Sequence, residues 1–405
     1  MSSPTASALD SRNWIEEKFF LGMSFWDYLR SLATPGNFVA GLIMAVGIPL
    51  IVYRFAAGLG ATTNLSQTNP WGIWIGFDML SGVALAAGGY TIATSVYIFG
   101  LKEYHPIVRP AVLTGFLGYL FAVLGLTADL GRPWNLPVPL FFSWGGPSVM
   151  FEIAWCVVLY LTVLGMEFLP PVFEWLEWPR ARRIAVNMTI GLTVAGVMLS
   201  TLHQSSLGGL FLMAPTKLHP LWYSPFIPAY FFISSIAAGL SMVIVESALS
   251  HRAFQSRADH TVNVDTLAIG LARGASVVLF CYFFVKVQGI ADSGRWSLLN
   301  TGYGYWFLVE MLGFILLPSL LFAYGARHRK TALVRWTAAW VVLGIIVNRL
   351  NVSVIAMNWN VPDRYIPSFT EVMVSITLVT IGISTFRWIV NRMPVLQELP
   401  EYREH

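Results

Sequence analysis

The chain has 405 residues, of which 56% are hydrophobic and only 11% charged, with a formal net charge of +4. A soluble domain carries about 25% charged residues, so this composition excludes a soluble globular protein and makes lipid, not nucleic acid, the natural surrounding. Both cysteines, Cys156 and Cys281, fall in apolar runs, which excludes a CxxC metal motif and a secreted disulfide framework.

Residues 1–35 hold no apolar run of the signal-peptide kind. Within them, 14–32 mixes Trp, Phe, Tyr and Leu with Glu16, Glu17, Lys18, Asp27 and Arg30, which predicts an amphipathic helix lying on the cytoplasmic surface. Ten stretches near the spanning length of about 20 residues follow. They cover 36–53, 71–99, 108–129, 149–169, 184–207, 225–249, 266–285, 303–324, 332–350 and 366–389. Residues 36–391 thus read as an all-α, polytopic transmembrane domain of ten helices, and 392–405 as a cytoplasmic tail.

Lysine and arginine orient these spans. Arg12, Lys18 and Arg30 precede the first, and Lys102, Arg109, Arg180, Arg182, Arg183, Arg252, Arg257, Arg327, Arg329 and Lys330 fill every second loop. Arg387, Arg392 and Arg403 follow the last span. The alternate loops hold only Arg54, Arg132, Lys217, Arg295, Arg349 and Arg364, with Lys286 at a helix end. The positive-inside rule then puts both termini in the cytoplasm. A weak internal echo pairs Trp71 with Trp222, and Gly146/Glu152 with Gly304/Glu310. It suggests a parallel repeat of two four-helix bundles, spans 2–5 and 6–9, with flanking helices.

On this topology Asp78, Asp129, Glu152 and His203 share a depth near the outer face. Asp78 lies seven residues inward of Trp71, about 10 Å along a helix. A bundle of spans 2–5 gathers them with Arg132, Trp71 and Trp134 around one pocket. Ionisable groups in lipid are costly and mark sites of proton or ligand chemistry. Each has a structural reading too: Asp129 with Arg132 as a capping pair, Glu152 at a helix N-terminus, His203 as an interhelical hydrogen bond. A quinone headgroup asks for donors at its carbonyls, which a histidine and a carboxylate supply together with a proton route. Membrane haem asks for two facing axial ligands. His105, His219, His251, His260, His328 and His405 all fall in loops or the tail, so no haem and no iron–sulfur cluster is expected in this chain.

Several segments in order carry a resemblance: Asn69 to Asp78 (NPWGIWIGFD), Ser81-Gly82 with Gly88-Gly89, Lys102 to Pro110 (KEYHPIVRP), Asp129 to Asn135 (DLGRPWN), His203 to Gly208 (HQSSLG), Thr216 to Trp222 (TKLHPLW) and Arg349 to Val352 (RLNV). Together they resemble the NrfD/PsrC superfamily, closest in look to its HybB-type branch. The resemblance implies a bacterial inner-membrane subunit without its own redox cofactor. Such a subunit exchanges electrons between a periplasmic ferredoxin-like iron–sulfur partner and menaquinone or ubiquinone. The catalytic head would be a hydrogenase, a molybdopterin enzyme or a multihaem cytochrome.

The second bundle has its own polar residues: Glu246, Arg273, Glu310, Arg349 and Glu371. An Arg273–glutamate ion pair is the structural expectation, and a proton path between the bundles the functional one. Two other classes compete with the quinone subunit. One is a secondary transporter or proton channel coupled through Asp78 and Glu310; the other is a passive anchor for a peripheral complex.

Overall fold

The structure is a computed structural model that describes residues 14–255 and 262–397. Of the residues in the charge and histidine patterns, Arg12, Arg257, His260, Arg403 and His405 lie outside the described residues. Among the described residues ten helices are long and apolar enough to cross a membrane. They are α1 (Pro35–Ala57), α2 (Trp74–Ile98), α3 (Lys102–Asp129), α4 (Val149–Trp175), α5 (Pro179–Leu212), α6 (Ile227–Ala253), α7 (Val264–Ser293), α8 (Gly302–Arg327), α9 (Thr331–Ile355) and α10 (Phe369–Val390). The all-α polytopic expectation therefore holds. The one strand-like pairing among the described residues is an isolated antiparallel bridge between Leu218 and Met357.

Several helices outrun their predicted spans. Helix α5 has 34 residues, about 50 Å of helix against a hydrocarbon core of about 30 Å. Hydropathy stops at the first charged residue, whereas a helical backbone continues as long as its carbonyls find amides. The predicted amphipathic helix at 14–32 is corrected to two pieces. Residues 14–19 are helical, Leu21 and Gly22 take left-handed φ values of 57° and 77°, and a second helix runs Phe25–Ser31 behind the cap Ser24. Gly22 makes this reversal possible, because it carries no Cβ penalty at positive φ.

Both described ends lie on one face, here called proximal. Arg392 donates to the Phe19 carbonyl, Arg109 to the Pro394 carbonyl, and Lys18 pairs with Glu177. The opposite face is distal. Helices α2 to α5 each pack on the next, and α5 touches α2 again. In α6 to α9, α6 packs on α7 and α9, and α8 fills the side between α7 and α9. Contacts of α6 with α2 and α5, and of α9 with α2, join the two sets, while α1 and α10 pair beside α3.

Small residues bring α2 and α6 together: a Cβ on Gly239 would lie 2.6 Å from backbone atoms of Ala87 and Gly88. That approach replaces the hydrophobic drive absent between helices in lipid. Of five π-helical stretches among the described residues, three lie at Trp74–Ser81 in α2, Val309–Leu316 in α8 and Asn351–Ile355 at the end of α9. Each of these three holds a buried polar side chain: Asp78, Glu310 and Asn351. Wide turns free backbone carbonyls and collect at functional sites. Two are taken up locally, Gly76 O by the Ser81 hydroxyl at 2.8 Å and Arg349 O by the Ser353 hydroxyl at 2.7 Å.

Candidate functional site

The predicted single pocket divides into separate groups. His203 lies nine residues before the distal end of α5, about 13 Å down the helix. It is fully buried. Its ring centroid is 5.6 Å from that of Tyr119 on α3, and Tyr119 meets Tyr160 on α4 edge to face at 4.6 Å. Ser200 and Gln204 lie within a turn of His203 on α5, and Gln204 Nε2 donates to the Val83 carbonyl at 3.1 Å. Around this point the protein leaves six buried polar atoms without a hydrogen-bond partner: Tyr119 Oη, Tyr160 Oη, Ser200 Oγ, both His203 ring nitrogens and Gln204 Oε1. The Tyr119 hydroxyl is near enough to feel Ser200 and Gln204, but no hydrogen bond of good geometry forms.

An isolated polar group in an apolar interior costs a few kcal/mol, and unsatisfied groups in native structures call for a partner. Unpartnered donors and acceptors buried on three adjoining helices are suited to a small polar headgroup with apolar walls. None of Tyr119, Tyr160, Ser200 and Gln204 stood out in the sequence. A tyrosine or serine in an apolar run looks like any other packing residue until three helices converge on it.

Glu152 sits in the first turn of α4, behind the cap Ser148, and accepts from the Ser206 hydroxyl at 2.5 Å. It joins α4 to α5 three residues along the chain from His203. Asp78 and Asp129 face elsewhere. Asp78 accepts from the Ser375 hydroxyl on α10 at 2.5 Å, and a Cβ on Gly125 would lie 2.6 Å from the Asp78 Cβ. Asp129 lies in the field of Arg54. Arg54 was expected in a loop. It is instead 2% exposed and donates to the carbonyls of Ala128 and Leu130, at 2.7 Å each.

Two expectations are corrected here. Arg132 is exposed and forms no ion pair with Asp129 among the described residues; the cation whose field Asp129 feels is the buried Arg54, held by the α3 terminus. Trp134 is 69% exposed, so it lines no buried pocket. Trp71 is half-buried and packs edge to face on Phe211 at 5.6 Å. The shared depth also fails, since His203 lies deeper than Glu152 and Asp129, which stand at helix ends.

The second set of helices centres on Glu310. One carboxylate oxygen accepts from Lys286 Nζ at 2.5 Å and Asn348 Nδ2 at 2.7 Å; the other accepts from Trp222 Nε1 at 2.7 Å and Asn351 Nδ2 at 2.5 Å. The pair is almost wholly buried, Lys286 at 4% and Glu310 at 1% exposed. Arg349 completes the cluster. It donates to Asn348 Oδ1 at 2.7 Å and Ser234 Oγ at 2.9 Å, and its guanidinium lies 3.9 Å above the Phe231 ring.

Among the described residues the expected Arg273–glutamate pair does not form: Arg273 is exposed on α7, and Lys286 on that helix takes Glu310. Lys286 was read as a helix-end residue because its charge ended the hydropathy run. Glu371 is a cap, accepting from Ser368 N at 2.8 Å, Asn64 N at 3.0 Å and the Tyr365 hydroxyl at 2.5 Å. It stands near Asp129, away from Glu310. Glu246 lies towards the proximal end of α6, accepts from Ser250 at 2.7 Å and keeps one oxygen unpartnered.

The fold and these groups define a polytopic helical membrane protein with a buried, polar, unsatisfied centre. The family described as "Polysulphide reductase, NrfD" matches residues 61–358, and the chain belongs to it. A protein of Nitratidesulfovibrio vulgaris Hildenborough is 51% identical over 379 residues, 93% of this chain and 98% of its own length. The probable Ni/Fe-hydrogenase 2 b-type cytochrome subunit of Escherichia coli K12 is 32% identical over 369 residues, covering 90% of this chain and 93% of its own. The menaquinone reductase integral membrane subunit of N. vulgaris is 27% identical over 365 residues, covering 81% and 83%.

Proposed function

We propose that this chain is the quinone-reactive membrane subunit of a respiratory redox complex in the bacterial inner membrane, with both termini in the cytoplasm and the distal face outward. The carrying observation is the set of six unpartnered polar atoms around His203, enclosed by α3, α4 and α5. A quinone brings two carbonyl acceptors and, on full reduction, takes up two electrons and two protons. The residues present fit it. Tyr119, Tyr160 and Ser200 offer hydroxyl donors, and His203 offers one donor and one acceptor as a neutral ring.

His203 would hold the headgroup by hydrogen bond and exchange a proton at a ring nitrogen. Tyr119 and Tyr160 would orient the ring edge-on. Glu152, tied to Ser206, stands between this centre and the distal surface as a proton acceptor. Asp78 and Asp129 would shape the wall that α2 and α3 present to α10. Electrons would pass to or from an iron–sulfur partner docked on the distal face, where Trp134, Phe141, Phe142 and Trp144 stand exposed. Relatives named for a hydrogenase and for menaquinone reductase support both the quinone and the catalytic head.

The E. coli relative's name includes a b-type cytochrome. Here His105 and His251 lie in helices α3 and α6 but at their proximal ends, so no facing pair of axial ligands is in place among the described residues. Coupled proton movement is assigned to Glu246, Glu310 and Arg349 in α6, α8 and α9. The deciding experiment compares His203→Ala with wild type in the intact complex. Electron exchange with quinone should be lost while artificial-dye activity of the catalytic head persists. Normal quinone turnover in an assembled His203→Ala complex would remove this pocket from the reading.

A further inference from the structure

Lys286 carries three N–H donors. The protein gives it one acceptor, Glu310 Oε1. Its remaining neighbours are ring faces, with Nζ 5.0 Å from the centroid of Phe307 and 5.6 Å from that of Tyr282. A buried ammonium is satisfied only when its donors are met. A narrow cleft lies beside it, lined by Lys286 together with Ser224, Tyr230, Gly289, Ser293 and Phe307. Ser293 ends α7 on the distal face and is exposed; Lys286 is seven residues below it, about 10 Å. Gly289 is needed here. A Cβ at that position would lie 1.9 Å from the Tyr230 hydroxyl and 2.9 Å from the Ser224 hydroxyl. The cleft is thus a hydroxyl-lined way from the distal surface to the ammonium, suited to water, which bridges polar groups that lack protein partners.

The charges point the same way. Lys286 and Arg349 are two cations facing one carboxylate, Glu310, with Asn348 hydrogen-bonded to both Glu310 and Arg349. The other titratable groups near Lys286 are Tyr282 on its own helix and Tyr230 on α6, and Asp292 near the cleft mouth faces Tyr230. His219 packs on the Trp222 ring above Glu310, with centroids 5.5 Å apart. An arginine stays protonated in proteins, so of the two cations facing Glu310 only Lys286 can give up a proton.

We infer that Lys286 is a proton-exchange group that opens to the distal aqueous phase through the Ser224–Tyr230–Ser293 cleft, with Glu310 as its partner. In the step, one N–H bond of the ammonium breaks and one O–H bond forms on a water in the cleft; no electron moves. Return of the proton restores the ion pair. The inference deepens the proton-coupled part of the proposed function and rests on it for direction.

The test uses the intact complex in oriented proteoliposomes, with quinone turnover and the proton-to-electron ratio measured together. Lys286→Arg keeps a charged partner for Glu310 but cannot release a proton. Quinone turnover under protonophore should stay within twofold of wild type, and the proton-to-electron ratio should fall at least fivefold. If arginine misassembles, Lys286→Met/Glu310→Met removes both charges at once, which buried ion pairs tolerate better than loss of one, and should show the same fall. In Ser293→Cys with Cys281→Ser, a membrane-impermeant thiol reagent on the distal side should close the cleft and reproduce it. An unchanged ratio in Lys286→Arg, or in the double variant, would overturn the inference and leave the pair structural. Absence of quinone turnover in wild type would count against the quinone reading alone.

Discussion

Tyr119→Phe separates stability from function at the His203 centre. The Tyr119 ring is fully buried and fixed by Tyr160 at 4.6 Å and His203 at 5.6 Å. Phenylalanine keeps both contacts and removes only the hydroxyl, which has no partner in the protein. An unsatisfied buried hydroxyl costs about 1–3 kcal/mol, so the ligand-free variant should be as stable as wild type or up to ~2 kcal/mol more stable. If the same hydroxyl holds the quinone headgroup through the transition state, losing a hydrogen bond of about 1.5–3 kcal/mol lowers turnover roughly 10- to 150-fold. Two measurements decide it: thermal unfolding of the purified subunit without quinone, and quinone turnover of the assembled complex with dye activity as control. Quinone should also raise the wild-type midpoint more than the variant's, because a ligand stabilises the state that binds it. A variant that is destabilised by more than about 1 kcal/mol, or that turns over quinone at the wild-type rate, would refute the reasoning.

Arg54→Met removes two hydrogen bonds from the α3 carbonyl end and the cation beside Asp129. It should cost about 1.5–3 kcal/mol for each hydrogen bond lost from the charged donor, seen as loss of assembled protein and a lower melting midpoint. His219, in the loop between α5 and α6, is pushed down to about 4, first by burial and then by Arg295 nearby. Its unfolded value is about 6.5, so the unfolded chain binds the extra proton between those values. Stability should then fall as pH drops from 6.5 towards 4, and His219→Phe should flatten that slope in a melting series. The purified subunit should show no Soret band of its own, because among the described residues no second histidine faces His203; a stoichiometric b-haem on this chain would sink that claim. Single cysteines near Arg182 and Arg329 should react only from the cytoplasmic side and one near Lys217 only from outside. The opposite labelling would invert the proposed topology.

Much of this protein is legible in the chain itself. An 11% charged composition leaves no soluble solution, and in lipid every backbone amide must be paired within its own segment, so apolar runs of sufficient length become helices. That logic yields ten helices without any tertiary information. His203 and Asp78 also stand out locally, because an ionisable group in an apolar run is rare and costly.

What the chain does not show is which helix each group faces. Arg54 looked like a loop residue and Lys286 like a helix-end one, since hydropathy takes no account of a charge whose partner arrives from another helix. Only packing brings the Ala128 and Leu130 carbonyls to Arg54, and Glu310 to Lys286. For the same reason Arg273 and Glu310, both read as buried, separate into one exposed and one paired residue. The His203 centre is the clearest case. Its tyrosines, serine and glutamine are unremarkable one by one, and are brought together only where α3, α4 and α5 pack, with polar atoms left unpartnered on all three. Local pattern determines that a segment crosses the membrane. The azimuth of each helix about its axis depends on side chains tens to hundreds of residues away, and that azimuth decides which polar groups meet.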